Sequence, residues 1–327
     1  MMRPHRLLLF PFATFLSIAL VAAIKPGAPP QASARAADAE GAVQAQMRNV
    51  IYRFTDSAAV HIKSLDGELL PFKPAEFPIF DKKDSFHIRI ASAEISIAAA
   101  DLASIFNSYV FARPNTPLSD LSVSIDKGRV KIKGRLHKAG EVPIETEGDL
   151  TPTSDGKILL HAAKVKALHV PVKKIMSLFG VETTDLIKNG KIPGVESRED
   201  DLILDPALVF PPPHMEGKVT AIRIEGDRVA ITFGDKSRTA KNLQSGNYMS
   251  YHGNRLGFGK LTMTDADMTL IDMDQADPFD FYIDRYQAQL SAGYTKITPS
   301  FGLRVYMKDL DKLGKLSKEK TKPPATN

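Results

Sequence analysis

Residues 121–160, LSVSIDKGRVKIKGRLHKAGEVPIETEGDLTPTSDGKILL, alternate apolar and polar positions over most of their length. A period of two marks strands with one covered and one open face. With Lys127-Gly128 as a two-residue turn, Asp126 faces Arg129, Ile125 faces Val130 and Val123 faces Ile132. Apolar meets apolar, and an opposite-charge pair flanks the turn; a slip of one residue would destroy the match. The stretch VTAIRIEGDRVAITFG at residues 219–234 obeys the same rule. A Gly226-Asp227 turn pairs Glu225 with Arg228, Ile224 with Val229 and Ile222 with Ile231. The two hairpins invite comparison as an internal duplication, but hairpins in general share this grammar. A third hairpin turns at Ser154-Asp155-Gly156, with glycine in the left-handed position, and pairs Leu150 with Leu160 and Pro152 with Ile158. Further strands are expected at residues 84–97, 247–251, 256–263, 268–273, 294–298 and 302–306.

Helical spacing is rare. AADLASIFNSYVF places Leu102, Ile105, Phe106, Tyr109 and Val110 on one face, with Asp101 in the first turn. VPVKKIMSLFG starts at Pro171, puts Val172, Ile175, Met176 and Phe179 on one face and stops at Gly180. TTDLIKNG reads as a short helix, and residues 201–213 return through a strand into a proline run. The fold class is therefore mainly β (α+β). It predicts a long, curved antiparallel sheet wrapped around one or more amphipathic helices.

The N-terminus changes how charge is read. Arg3, His5 and Arg6 precede an 18-residue apolar run, residues 7–24, and A-x-A sites end at Ala34 and Ala36. This is the pattern of a cleaved export signal over residues 1–36, with an uncleaved anchor as the rival. Residues 37–47 read as a flexible leader and residues 308–327 as a disordered Lys-rich tail. The formal net charge is +5, and residues 1–36 supply +4 of it through Arg3, Arg6, Lys25 and Arg35. The remainder carries +1, so general attraction to nucleic acid is not supported. With no cysteine there is neither a disulfide nor a lipoprotein anchor.

Motifs for covalent chemistry are missing. There is no G-x-S-x-G and no H-E-x-x-H. TDADMTLIDMDQADPFDF fails as a calcium loop, because Ala276, Asp277 and Ile283 stand where an oxygen ligand, a glycine and a glutamate are required. The glycines of HGNRLGFGK suit a turn or bulge better than a phosphate loop. No catalytic residue, metal ligand or cofactor is expected. Lys127, Arg129, Lys131, Lys133, Arg135 and His137 occupy successive odd positions. Arg129, Lys131, Lys133 and Arg135 are candidates for transient contact with an anionic membrane surface. Glu145–Glu147 on the facing strand would weaken that attraction.

The order of a long strand, the helix DLASIFNSYVF, the hairpin GRVKIKGRL, and then VPIETEGDLTPTSDGKILL and DLILDPALVFPPP resembles the bacterial LmeA-type phospholipid-binding family. That family is similar to the tubular lipid-binding (TULIP) superfamily. The resemblance covers residues 48–234 and implies a lipid-binding-like α+β domain there, with residues 235–307 as a β extension packed on it. It implies a helix packed in a curved sheet, with acyl chains between them. Leu102, Ile105, Phe106, Tyr109, Val123, Ile125, Val130, Ile132, Ile175 and Phe179 are then the lipid-contact candidates. The expected function is a non-enzymatic, periplasmic or extracellular protein that binds or shuttles phospholipid or another acyl lipid. A scaffolding envelope protein with a protein-filled core and a hydrolase with scattered catalytic residues remain the alternatives.

Overall fold

All three hairpins matched from side chains form in the expected registers. A computed structural model describes residues 41–73, 76–113, 116–137, 141–167, 170–171, 192–198, 201–235 and 245–313. The chain is mostly β, with large curved antiparallel sheets and few helices.

Three long strands come first: β1 (Val43–Thr55), β2 (Ala58–Pro71) and β3 (Phe86–Ala98). Helix α1 (Ala99–Ile105) follows, continued by a π-helical turn (Phe106–Val110). A run of strands then builds a second sheet: β4 (Leu118–Asp126), β5 (Arg129–His137), β6 (Glu141–Pro152) and β7 (Ile158–Ala167). The short β8 (Val170–Pro171), β9 (Val195–Arg198) and β10 (Asp201–Leu204) complete it in the order β4-β5-β6-β7-β10-β9, with β8 on β7. After the one-turn helix α2 (Pro206–Val209) the chain returns to the first sheet. It contributes β11 (His214–Glu216), β12 (Val219–Glu225), β13 (Arg228–Gly234), β14 (Tyr248–Phe258), β15 (Leu261–Asp272) and β16 (Phe279–Tyr282). Helix α3 (Tyr286–Ser291), β17 (Tyr294–Ile297) and β18 (Leu303–Met307) end it. The order in this 11-stranded sheet is β12-β13-β3-β2-β1-β14-β15-β18-β17, with β11 on β3 and β16 on β1.

Strand β1 lies in the middle of that sheet, which corrects the expectation of a leader for residues 43–47. Val43, Ala45 and Met47 are buried and Gln44 and Gln46 face outward. Small and amide residues hid the alternation. Asn49 takes a left-handed φ of 51° and divides the far edge of β1, which β14 pairs along residues 43–48 and β16 along residues 50–53. Strands β14–β18 are thus members of the sheet itself rather than an extension laid upon it. The strand expected at residues 256–263 is instead the turn between β14 and β15. Gly259 has a φ of +59°, and Leu256 pairs with Met263. Residues 308–313, expected in the loose tail, are ordered: Asp309 is buried and residues 310–313 are helical. Pro171 ends β8 instead of starting a helix, and the helices expected at residues 172–180 and 183–190 lie outside the described residues.

Helix α1 touches both sheets, packing on β4 from one and on β2 and β3 from the other. Two polar contacts fix it. Asp101 Oδ1 accepts the Ala59 N–H at 3.0 Å. Asn107 imitates a strand neighbour: Nδ2 donates to the Leu121 carbonyl at 2.7 Å and Oδ1 accepts the Leu121 N–H at 2.8 Å. The ladder between β4 and β5 is irregular between Ser119 and Ser122, and Asp120 has a φ of 51°, so Asn107 satisfies backbone groups at that irregularity.

Candidate functional site: an apolar cavity between the two sheets

Where α1 and the hairpins converge, the apolar faces leave a cavity of about 50 Å³. Helix α1 and its continuation supply Leu102, Ile105 and Phe106, and the β4–β5 hairpin supplies Val123, Val130 and Ile132. These six are among the lipid-contact candidates that the resemblance implied. Opposite them stand Ile222, Val229 and Ile231 of the β12–β13 hairpin. Leu150, Ile158 and Leu160 of β6–β7 form a side wall, and Leu204, Val209 and Phe210 close the remainder around α2. All fifteen lining residues are hydrophobic.

The cavity is unsuited to water, which needs two or more polar partners. It is also not sealed. Leu102, Ile132, Leu150, Leu204 and Ile222 are only half-buried, so the lining reaches a rim. Its volume leaves no room for an acyl chain unless the walls part.

Of the other lipid-contact candidates, Ile125 and Tyr109 are half-buried and pack against the same core without lining the cavity. Desolvation pushes the Tyr109 phenol upward. Ile175 and Phe179 lie outside the described residues. Sequence reasoning missed the nine wall residues from β6, β7, β10, α2, β12 and β13. Their hairpins had been read and their apolar faces noted. That β12–β13 belongs to a different sheet and reaches the same cavity as β4–β5 is a long-range fact that no local pattern states.

The basic stripe is not a free positive surface. Arg129 lies 3.6 Å from Glu147 and 3.3 Å from Asp149; Lys131 lies 3.0 Å and Lys133 3.7 Å from Glu145. Arg135 lies 2.5 Å from Glu141 and 3.3 Å from Asp120. Basic β5 is matched by acidic β6 in register, Lys133 opposite Glu145 and His137 opposite Glu141. Lys131 holds the Glu145 carboxyl below the usual carboxylate range. The electrostatic support for a membrane-facing role of these four residues is removed.

The acidic run is also differently placed from the solvated faces expected of it. Asp272 and Asp309 are buried, and their carboxylates gather with that of Asp277 within 4.8 Å. Burial pushes Asp272 up to about 6. The Lys312 ammonium sits among the acids, 2.7 Å from Asp274, 2.9 Å from Asp277 and 2.8 Å from Asp309. A side chain of the chain itself thus supplies the compensating cation and holds residues 308–313 in place.

Comparison with protein-family models, with curated proteins and with solved structures finds no match. Among the described residues no helix is long and apolar enough to cross a membrane.

Proposed function

We propose that the chain is an exported, non-enzymatic protein that binds an acyl lipid in the cavity between α1 and the two sheets. The observation that carries this reading is the lining: fifteen apolar side chains from both sheets, a helix touching both, and a rim of half-buried residues. The resemblance to the LmeA-type family points the same way. Binding would come from desolvation, at ~0.8 kcal/mol per buried methylene, so ten methylenes supply ~8 kcal/mol before the cost of parting the walls. Binding sites of this kind are mostly apolar. In this reading the walls part to admit the chain, β12 separating from the β5–β6 side.

The size of the cavity favours a second reading, a scaffold whose core is filled by its own side chains. Native mass spectrometry of the full chain, exported by a bacterial host and purified without detergent, separates the two. The lipid reading expects a stoichiometric adduct that extraction identifies as phospholipid or another acyl lipid. Ile132→Asp, at the rim, should abolish the adduct while circular dichroism stays unchanged. A bare polypeptide mass that stays bare after incubation with anionic liposomes overturns the lipid reading and leaves the scaffold.

A further inference from the structure

The outer face of the larger sheet changes character across β1, β14, β15, β18 and β17. Three cross-strand rows cover it. Strand pairing sets Arg48, Tyr248, Ile271, Tyr306 and Tyr294 in one row. The next runs Gln46, Ser250, Thr269, Arg304 and Lys296. The third holds Gln44, His252 and Asp267. The alternate residues Met47, Met249, Leu270 and Val305 are fully buried beneath, so the face is carried on a packed layer. It holds a pocket of about 420 Å³, bounded at one end by Gly246, Asn247 and Gln275.

Elsewhere the outer face of this sheet neutralises itself with ion pairs, Lys63 with Glu94 and Glu225, and Arg223 with Glu94. Here aromatic rings and neutral polar groups flank one charged cluster, Asp267 with Arg304 and His252. Tyr294 and Tyr306 stack with centroids 4.5 Å apart and planes 13° apart, and Tyr294 is 44% exposed. The Ser250 and Thr269 hydroxyls lie on directly opposed residues. Neither has a side-chain hydrogen bond to the described residues, although Ser250 is only 7% exposed. Arg48, opposite Tyr248, is exposed and outside the pocket lining, and the two cations nearer the pocket are engaged. Arg304 binds Asp267 through two nitrogens at 2.8 and 3.1 Å, and Lys296 lies 5.4 and 5.5 Å from the centres of the two stacked rings.

We propose that this pocket binds a saccharide chain. A sugar ring has an apolar C–H face, which a tyrosine ring covers, and a rim of hydroxyls, which pair with hydroxyls and amides that both donate and accept. Tyr306 and Tyr294 form the platform. Ser250, Thr269 and Gln46 supply the neutral polar row beside it. Phosphate is a poor match, because the Arg304 fork is already occupied by a carboxylate. An acyl chain is a poor match, because burying it would strand the hydroxyls. The site is on the opposite face of the sheet's packed layer from the apolar cavity and does not depend on lipid binding there.

The test is a glycan array of neutral and acidic oligosaccharides probed with the full chain, followed by titration calorimetry with the retained sugar. The expected result is retention of one saccharide class, weakened at least tenfold by Tyr306→Ala and several-fold by Thr269→Val, with Ile132→Asp unchanged. Both substitutions lie on the outer face, and unaltered melting curves exclude unfolding as the cause. Vesicles carrying a glycolipid in a phosphatidylcholine background distinguish the source. Binding of free sugar indicates a soluble glycan, and binding of vesicles alone indicates a lipid-borne headgroup. No retention in either format, or retention indifferent to both Tyr306→Ala and Thr269→Val, overturns the proposal.

Discussion

The hairpins β4–β5 and β12–β13 have the same side-chain grammar and reach the same cavity from opposite sheets, yet they are buried very differently. In β13 every residue from Val229 to Phe233 is buried, including the outward-facing Ala230 and Thr232. In β5 only Val130 and Leu136 are buried, and Ile132 is half-covered. The difference lies in the neighbours. Ala230 stands between Ser96 and Arg223, and the ion-paired arms of Arg223, Glu94 and Lys63 extend over the small residues below. On β5 the outward residues are themselves the long charged arms. Alternation in a sequence therefore decides which face is apolar, and adjoining strands decide how dry each face becomes.

The turns differ as well. Lys127 and Gly128 both have positive φ, 49° and 77°, as a type I′ turn requires. In the Gly226-Asp227 turn only Gly226 does, at 65°, the pattern of type II′. The order Lys-Gly against Gly-Asp accounts for this, since a glycine supplies the first positive φ in one turn and a lysine must do so in the other.

The largest effect should come from equal truncation at matched positions. Ile231→Ala should cost about 3–4 kcal/mol in urea unfolding, near the middle of the range for buried aliphatic residues. Ile132→Ala, only half-covered, should cost about 1–2 kcal/mol. Equal losses would mean that both walls are equally packed in solution and would undo the contrast.

A smaller effect separates surface charge from core. Glu145 and Glu225 are both held below the usual carboxylate range, chiefly by hydrogen bonds from Lys131 and Lys63. A depressed folded-state value means that the contribution is present above the unfolded value and is lost as pH falls through the folded one. Glu145→Gln and Glu225→Gln should each flatten stability against pH below about 4, by under about 1 kcal/mol, and high salt should erase the difference. Equilibrium unfolding at stepped pH, at low and high ionic strength, is the measurement. The smallest effect is a gain. Lys127→Asn should stabilise by about 0.5 kcal/mol, because asparagine tolerates the left-handed region, whereas Asp227→Asn should change nothing.

The registers of three hairpins and the helix at residues 99–110 were legible because each is decided within about forty residues by matching apolar positions. Six of the fifteen cavity residues were among the candidates that the resemblance implied. The pairing of β1 with β14 was not legible, since Met47 and Met249 carry no mutual signal and the Gln44 and Ala45 positions look like linker. The division of the strands between two sheets also escaped, because alternation is identical whichever sheet a strand joins. The stripe on β5 was visible, and Glu145–Glu147 hinted at its neutralisation; Asp120, Glu141 and Asp149 became partners only through the strand pairing and a bulge in β4.

Strand β1 has a consequence for how the molecule is made. One of its edges is satisfied by β2, which follows at once, but the other waits for β14 and β16 near the far end of the chain. While the protein is being synthesised, the first half can form its local hairpins and still present an unpaired, apolar-backed strand. A strand left open in this way is a site for pairing with another chain until β14 and β16 arrive.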